Sequence, residues 1–219
     1  MKPLSDALLY GILDLGYAPP DQLEFISQKM LDGGIDALQL RAKGCDEETI
    51  EGYARRVVGL TEAAGVPFLL NDHPELVPSI GAQGAHVGQD DFDVSDARWR
   101  AGRALAGEVP LPIIGKSTHS LAQALSAVEQ GADYIGFGPL FATPTKPGRP
   151  AIGTDEIREV NRVVSIPVFC IGGIKRENLE QVLAAGARRV VIVSGILKAP
   201  DIAAYCRDVK AVLLARSGA

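Results

Sequence analysis

Short apolar runs alternate along the chain with segments whose apolar residues recur every three to four positions. Three junctions share one form: "GGIDALQLR" from Gly33, "QGADYIGFG" from Gln130 and "AGARRVVIVS" from Ala185. Each passes from a helix-like run through a glycine and one or two polar residues into a short apolar strand. Glycine suits that place because the residue closing a helix commonly turns left-handed, at little steric cost when there is no Cβ. "AAGVPFLLND" and "GAQGAHVGQ" repeat the theme more loosely. Between the strands, Leu23, Ile26, Met30 and Leu31 mark one helical face, and Leu121, Leu125 and Val128 another. Ser120 and Gln123 form an S-x-x-Q capping box that starts the second of these helices. The pattern predicts strands near 8–14, 36–41, 67–71, 84–88, 112–116, 133–138, 167–171 and 189–194.

Strands and helices in strict alternation require parallel pairing with right-handed crossovers. Eight such units in 219 residues, somewhat under the usual ~250 for this architecture, predict an α/β fold of one domain over 1–219, a (β/α)₈ TIM barrel. No G-x-G-x-x-G element opens an early helix, which argues against a dinucleotide-binding sheet. Composition agrees: 47% of residues are hydrophobic and only 5% aromatic, with 24 glycines, a mix suited to buried strands rather than to a sandwich. A net charge of −5 without a Lys/Arg run argues against nucleic acid or a membrane surface as partner. Small molecules are the expected partners, and association into a homo-oligomer is left open. Three cysteines in no metal-like or redox-like spacing are expected as reduced thiols of a cytoplasmic protein. The opening residues lack the apolar stretch and cleavage site of a leader, and no apolar run approaches the ~18 residues of a membrane span.

In such a barrel the chemistry gathers where strands end. Polar residues do collect there: Gln39, Arg41 and Lys43 after the second strand, Asn71 and Asp72 at the third, Gln89, Asp90 and Asp91 after the fourth, Ser117 and His119 after the fifth. Thr143, Thr145 and Lys146 lie in the long loop after the sixth, Gly172 and Gly173 follow the seventh, and Ser194 and Gly195 the eighth. Alone, Asp72 reads as a helix N-cap and Asp91 as part of a solvated acidic loop. Together they stand on neighbouring strands, beside Arg41, Lys43 and Lys146. That set suits Mg²⁺, which is commonly held by one or two carboxylates plus substrate phosphate oxygens. Arg41 offers a bidentate grip on an anion and Lys146 a mobile point charge. The glycine turns after the last two strands mark the place where this fold often holds a phosphate. Two anionic groups are therefore expected, with the 136–153 loop between them in chain order and stiffened by Pro144, Pro147 and Pro150. For His73, His86 and His119 a structural role is the default.

The pieces "QLRAK", "ND", "GAHVGQDD", "GKSTHS", "GADYIGFGPLFATPTK", "IGGI" and "VSGI" span most of the chain, and in this order they resemble the thiamin phosphate synthase family. The resemblance implies a (β/α)₈ barrel that joins 4-amino-2-methyl-5-hydroxymethylpyrimidine diphosphate to 4-methyl-5-(2-hydroxyethyl)thiazole phosphate, giving thiamin phosphate and pyrophosphate. It implies Mg²⁺ on Asp72 and Asp91, the pyrimidine diphosphate among Gln39, Arg41, Lys43, Asn71, Ser117 and Lys146, and the thiazole phosphate near Thr143, Thr145, Gly173, Val193 and Ser194. Lys146, Arg41, Lys43 and Ser117 form the expected catalytic set. The first strand, "LYGILD", departs from the family's usual "LYLVTD" at Gly11 and Leu13, which weakens the expectation of polar contacts from that strand, while Tyr10 and Asp14 match. Two other readings compete: a thiazole tautomerase-like isomerase with His119 as proton shuttle, and a non-catalytic barrel that binds a phosphorylated metabolite and regulates a partner. The joint presence of Asp72, Asp91 and the T-x-T-K loop favours the synthase over both.

Overall fold

The computed structural model describes residues 1–102, 111–143 and 150–217. Eight parallel strands close into a barrel in chain order: β1 (Leu9–Asp14), β2 (Ala37–Arg41), β3 (Phe68–Asn71), β4 (Gly84–Val87), β5 (Ile113–Thr118), β6 (Tyr134–Phe137), β7 (Val168–Cys170) and β8 (Arg189–Ile192). Each strand pairs with the next, and β8 returns to β1 with Leu9 opposite Val190. The helices are α1 (Leu23–Asp32), α2 (Glu47–Ala63), α3 (Val77–Ile80), α4 (Val94–Gly102), α5 (Leu121–Glu129), α6 (Ile157–Val163), α7 (Leu179–Ala184), α8 (Ser194–Leu197) and α9 (Ile202–Ser217). The predicted strands all appear. The fifth runs past its expected end at 116, so Ser117 and Thr118 belong to the strand and not to the loop after it.

Alternation along each strand divides the core in two. Leu9, Leu13, Leu38, Leu40, Phe68 and Leu70 point outward and pack against the helices. Tyr10, Ile12, Ala37, Leu69, Tyr134, Phe169 and Val191 form a separate inner cluster, floored by Leu4 and Ala7. Gly11 falls on the outward side, where a Cβ would lie 2.3 Å from Cε of Met30, so α1 docks against β1 through that space. On α5 the buried face is Ala124 and Ala127, whereas Leu125 is 40% exposed. Of the expected Leu121–Leu125–Val128 face, Leu121 and Val128 pack partly buried against the core, and only Leu125 is corrected: small alanines let the helix lie close to the sheet, and this leucine is turned outward. The capping box survives in a shifted form, since Ser120 Oγ accepts from Gln123 N while the Gln123 side chain accepts from His119 N.

The barrel floor is tied by one acid. Asp36, 3% exposed, accepts from Leu8 N (2.8 Å) and Leu9 N (3.0 Å) and pairs with Lys2 and Lys210. Burial raises the pKa of this carboxyl, but the four donors outweigh it and hold the net value below the usual range.

Candidate active site

The cavity at the C-terminal ends of the strands is lined by Gln39, Arg41, Asn71, Ser117, Thr143, Gly173, Val193 and Ser194, all expected site residues. Gln39 and Arg41 sit on β2 itself rather than beyond it, and Ser117 sits on β5. Strand parity explains this: the last inward-facing residues of a strand already reach the barrel mouth. Thr145 and Lys146, with Pro144 and Pro147, lie outside the described residues.

Arg41 is held from β1. Its Nη1 donates to Asp14 Oδ2 at 2.8 Å, and Asp14 Oδ1 accepts from Gly16 N at 2.9 Å, with Asp14 2% exposed. The first strand therefore does supply polar contacts, contrary to the expectation drawn from Gly11 and Leu13. Tyr10 supplies the other: Gln39 Nε2 donates to its hydroxyl at 2.8 Å.

Asp72 and Asp91 meet. Asn71 on β3 stands opposite His86 on β4, and Asp72 N donates to the His86 carbonyl at 2.9 Å, which brings the residue after β3 against the loop after β4. The Asp72 carboxylate neighbours that of Asp91, and Lys43 Nζ pairs with Asp72 Oδ2. Asp72 is not a helix cap; it has a left-handed backbone, φ 66°, strain that a non-glycine residue accepts only where its surroundings demand it. Asp91 Oδ2 accepts from Gly88 N at 2.7 Å. Desolvation pushes the Asp91 pKa up, but the Gly88 N–H and the positive charges of Lys43 and Lys116 bring it below the usual carboxylate value. Hard oxygens from two strands, with an ammonium already seated on one of them, are a donor set that fits Mg²⁺. These three residues flank the cavity next to Asn71 instead of lining it.

Lys116 explains how the Asp91 loop is held. It is 4% exposed on β5, and its ammonium donates to the carbonyls of Gly88 (2.8 Å) and Phe92 (2.7 Å), closing the loop around Asp91. Burial lowers its pKa, against the attraction of Asp93, Asp91 and Asp90. Glu47, His73 and Glu75 form a distinct group whose ligand atoms lie within 4.8 Å of one another; in it His73 pairs with Glu75 at 2.9 Å.

On the opposite side, Gly172 and Gly173 both have positive φ, 99° and 68°. A Cβ at 172 would lie 2.3 Å from Pro139 Cα, and one at 173 would lie 2.7 Å from Phe141 Cβ. The turn is locked to the loop after β6 through Leu140 N to Ile171 O and Phe141 N to Gly172 O, so it brings Thr143 towards Gly173 and Ser194. His119 Nδ1 donates to the Gly138 carbonyl.

The sequence profile of the thiamine monophosphate synthases matches residues 9–196. The chain belongs to that family. A thiamine-phosphate synthase of Thermus thermophilus is 44% identical over 176 residues, 80% of this chain and 81% of the relative. One of Shouchella clausii is 37% identical over 214 residues, 97% and 98% of the two chains. Among solved structures, a thiamine phosphate pyrophosphorylase from Pyrococcus furiosus superposes with a TM-score of 0.83 at 28% identity, covering 96% of both chains. A 3-hexulose-6-phosphate synthase, at 18% identity and TM-score 0.66, shares the fold alone.

For this member of the thiamine monophosphate synthases, the site holds residues beyond the expected set, of which Tyr10 and Asp14 match the family only as part of the first strand. Asp14, Tyr10, His86 and Lys116 each touch an expected site residue or its loop, and Tyr134, bonded to Tyr10 and His86, lines the cavity. His86 in particular is not merely structural: it lines the cavity, with Nε2 2.9 Å from Ser117 Oγ. Parity was the available signal, since His86 precedes the strand end by one position and so shares the inward face with Gly84 and Gly88.

Proposed function

We propose that this chain, as one barrel domain in the cytoplasm, condenses 4-amino-2-methyl-5-hydroxymethylpyrimidine diphosphate with 4-methyl-5-(2-hydroxyethyl)thiazole phosphate to give thiamin phosphate and pyrophosphate. The observation that carries the reading is the meeting of Asp72 and Asp91 with Lys43 beside a cavity that has Arg41 and Ser117 on one side and Gly173 and Ser194 on the other. Its partners are the two small phosphorylated substrates.

Asp72 and Asp91 would hold Mg²⁺, which would supply positive charge to the diphosphate oxygens. Arg41, fixed by Asp14, grips the diphosphate through its planar fork, and Lys43 and Lys146 add mobile charge. As the CH₂–O bond breaks, its electron pair stays on the pyrophosphate oxygen, where the preorganised Arg41 guanidinium and the lysine charges stabilise it. The amino-pyrimidine ring delocalises the cation left behind. The thiazole nitrogen then donates its lone pair to the CH₂ carbon, with the thiazole phosphate anchored at Thr143, Gly173, Val193 and Ser194. Bond formation moves no proton and needs no protein nucleophile. Burial agrees with that, pushing the Cys170 thiol up to about 12.

The test is to incubate the purified chain with both substrates, with and without Mg²⁺, and to assay pyrophosphate and thiamin phosphate. Stoichiometric release of both, dependent on Mg²⁺, is expected. No pyrophosphate with both substrates present refutes the reading, and full activity after removal of divalent cations refutes the metal assignment.

A further inference from the structure

A line of polar groups crosses the inside of the barrel beneath the cavity. Gln39 Nε2 donates to the Tyr10 hydroxyl at 2.8 Å; Tyr10 and Tyr134 share a hydrogen bond of 3.0 Å between their hydroxyls; the Tyr134 hydroxyl lies 3.0 Å from His86 Nδ1; and His86 Nε2 lies 2.9 Å from Ser117 Oγ. The two tyrosines are 2% and 0% exposed, packed edge-on against each other and against Phe169. Space for the second is made by Gly115, where a Cβ would stand 2.1 Å from Tyr134 Cζ and 2.5 Å from its hydroxyl oxygen.

The direction of this line follows from counting hydrogens. An amide nitrogen only donates, so the Tyr10 oxygen accepts and its single hydrogen passes to Tyr134. Tyr134 in turn has one hydrogen, and His86 Nδ1 is its acceptor. The reverse sense would leave the Tyr10 O–H buried without an acceptor in this line, at a cost of about 1–3 kcal/mol. Burial pushes the pKa of both tyrosines up, so both keep their protons. With Nδ1 accepting, the imidazole hydrogen sits on Nε2 and is donated to Ser117 Oγ.

We propose that His86 is a positioning residue, the last member of an oriented relay from Gln39 through Tyr10 and Tyr134 that occupies the acceptor side of Ser117 and commits its hydroxyl hydrogen to the cavity as a donor for a diphosphate oxygen. The ligand half of this inference rests on the diphosphate assignment given above. A serine whose hydrogen is aimed this way offers a donor to an anion, so the relay favours an acceptor group at one position of the site. Its members come from β2, β1, β6, β4 and β5, so the barrel's closure aligns them.

Two measurements on the full chain test it. In ¹⁵N NMR of histidine-labelled protein, with the signal assigned by its loss in His86→Gln, His86 should be the Nε2–H tautomer; the Nδ1–H tautomer overturns the relay. By calorimetry with inorganic pyrophosphate and Mg²⁺, Ser117→Ala should weaken binding about tenfold, the loss of one hydrogen bond to a charged group. Tyr134→Phe, which keeps the ring packing, should weaken it about threefold in the native background and not at all in Ser117→Ala. An equal Tyr134→Phe loss in both backgrounds overturns the proposal. A chain with the Nε2–H tautomer that binds no pyrophosphate overturns the diphosphate assignment and with it the role of Ser117. The Nδ1–H tautomer with intact binding overturns the relay alone.

Discussion

Replacing Asp14 by Asn separates what holds Arg41 from what Arg41 does. The exchange is isosteric: the amide oxygen can still accept from Gly16 N, but the group facing Arg41 Nη1 becomes an uncharged N–H donor. Asp14 is 3% exposed in its side chain and Arg41 14%, so the pair is largely out of water. Breaking a fully buried pair costs about 3–5 kcal/mol, and losing a single charge-assisted bond about 1.5–3 kcal/mol. Because Arg41 opens onto the cavity and regains some hydration there, the lower range applies and about 2 kcal/mol of stability should be lost. With a urea slope of about 2 kcal/mol/M, that moves the unfolding midpoint by about 1 M. The released guanidinium should also bind Mg²⁺–pyrophosphate about tenfold more weakly. Arg41→Ala should do at least as much, and adding Asp14→Asn to it should change binding no further. Equilibrium urea unfolding and pyrophosphate calorimetry on the four proteins decide the matter. If Asp14→Asn falls in stability yet binds pyrophosphate like the native chain, Asp14 is only a strut of the barrel and the grip assigned to Arg41 is wrong.

Asp72→Asn should leave unfolding within about 0.5 kcal/mol of native, since Asn tolerates the left-handed backbone at φ 66°, while Mg²⁺-dependent turnover falls about 100-fold or more; Asp91→Asn should behave alike, and native kinetics in both would remove the metal pair. Gly115→Ala should cost about 3 kcal/mol in thermal or urea unfolding, because the new methyl meets a fully buried Tyr134 ring at 2.1–2.5 Å. Asp36→Asn should cost about 2–3 kcal/mol at pH 7, leaving Lys210 without its counter-charge. The native Asp36 pKa lies below 3.8, so this acid's contribution is present above that value and lost as pH falls through the lower native one. The stability gap between the two proteins should therefore close in acid, and a gap constant from pH 7 to pH 3 would contradict the assignment.

The order of elements and the chemistry at their ends were legible before any coordinates. Periodicity placed every strand to within a few residues, because a buried parallel strand is a short apolar run with glycine and polar punctuation, and that is a local property. The same locality made Asp72, Asp91, Arg41 and the Gly172–Gly173 turn visible, each standing just where a strand stops. What a single stretch cannot carry is which groups from distant strands share a side-chain contact. Asp14 and Arg41 are 27 positions apart, and Tyr10 and Tyr134 are 124 apart. His86, Tyr10 and Tyr134 looked like ordinary strand residues until closure of the barrel turned their faces to a common interior. Leu125 misled for a related reason: its hydrophobicity is a local fact, but how near a helix lies to the sheet is settled by the alanines it presents there. The sequence by itself thus determined the barrel and the inventory of charges at its mouth. Only the tertiary structure decided their pairing, since a hydrogen bond depends on distances of about 3 Å between chain segments, and strand register and closure alone set those distances.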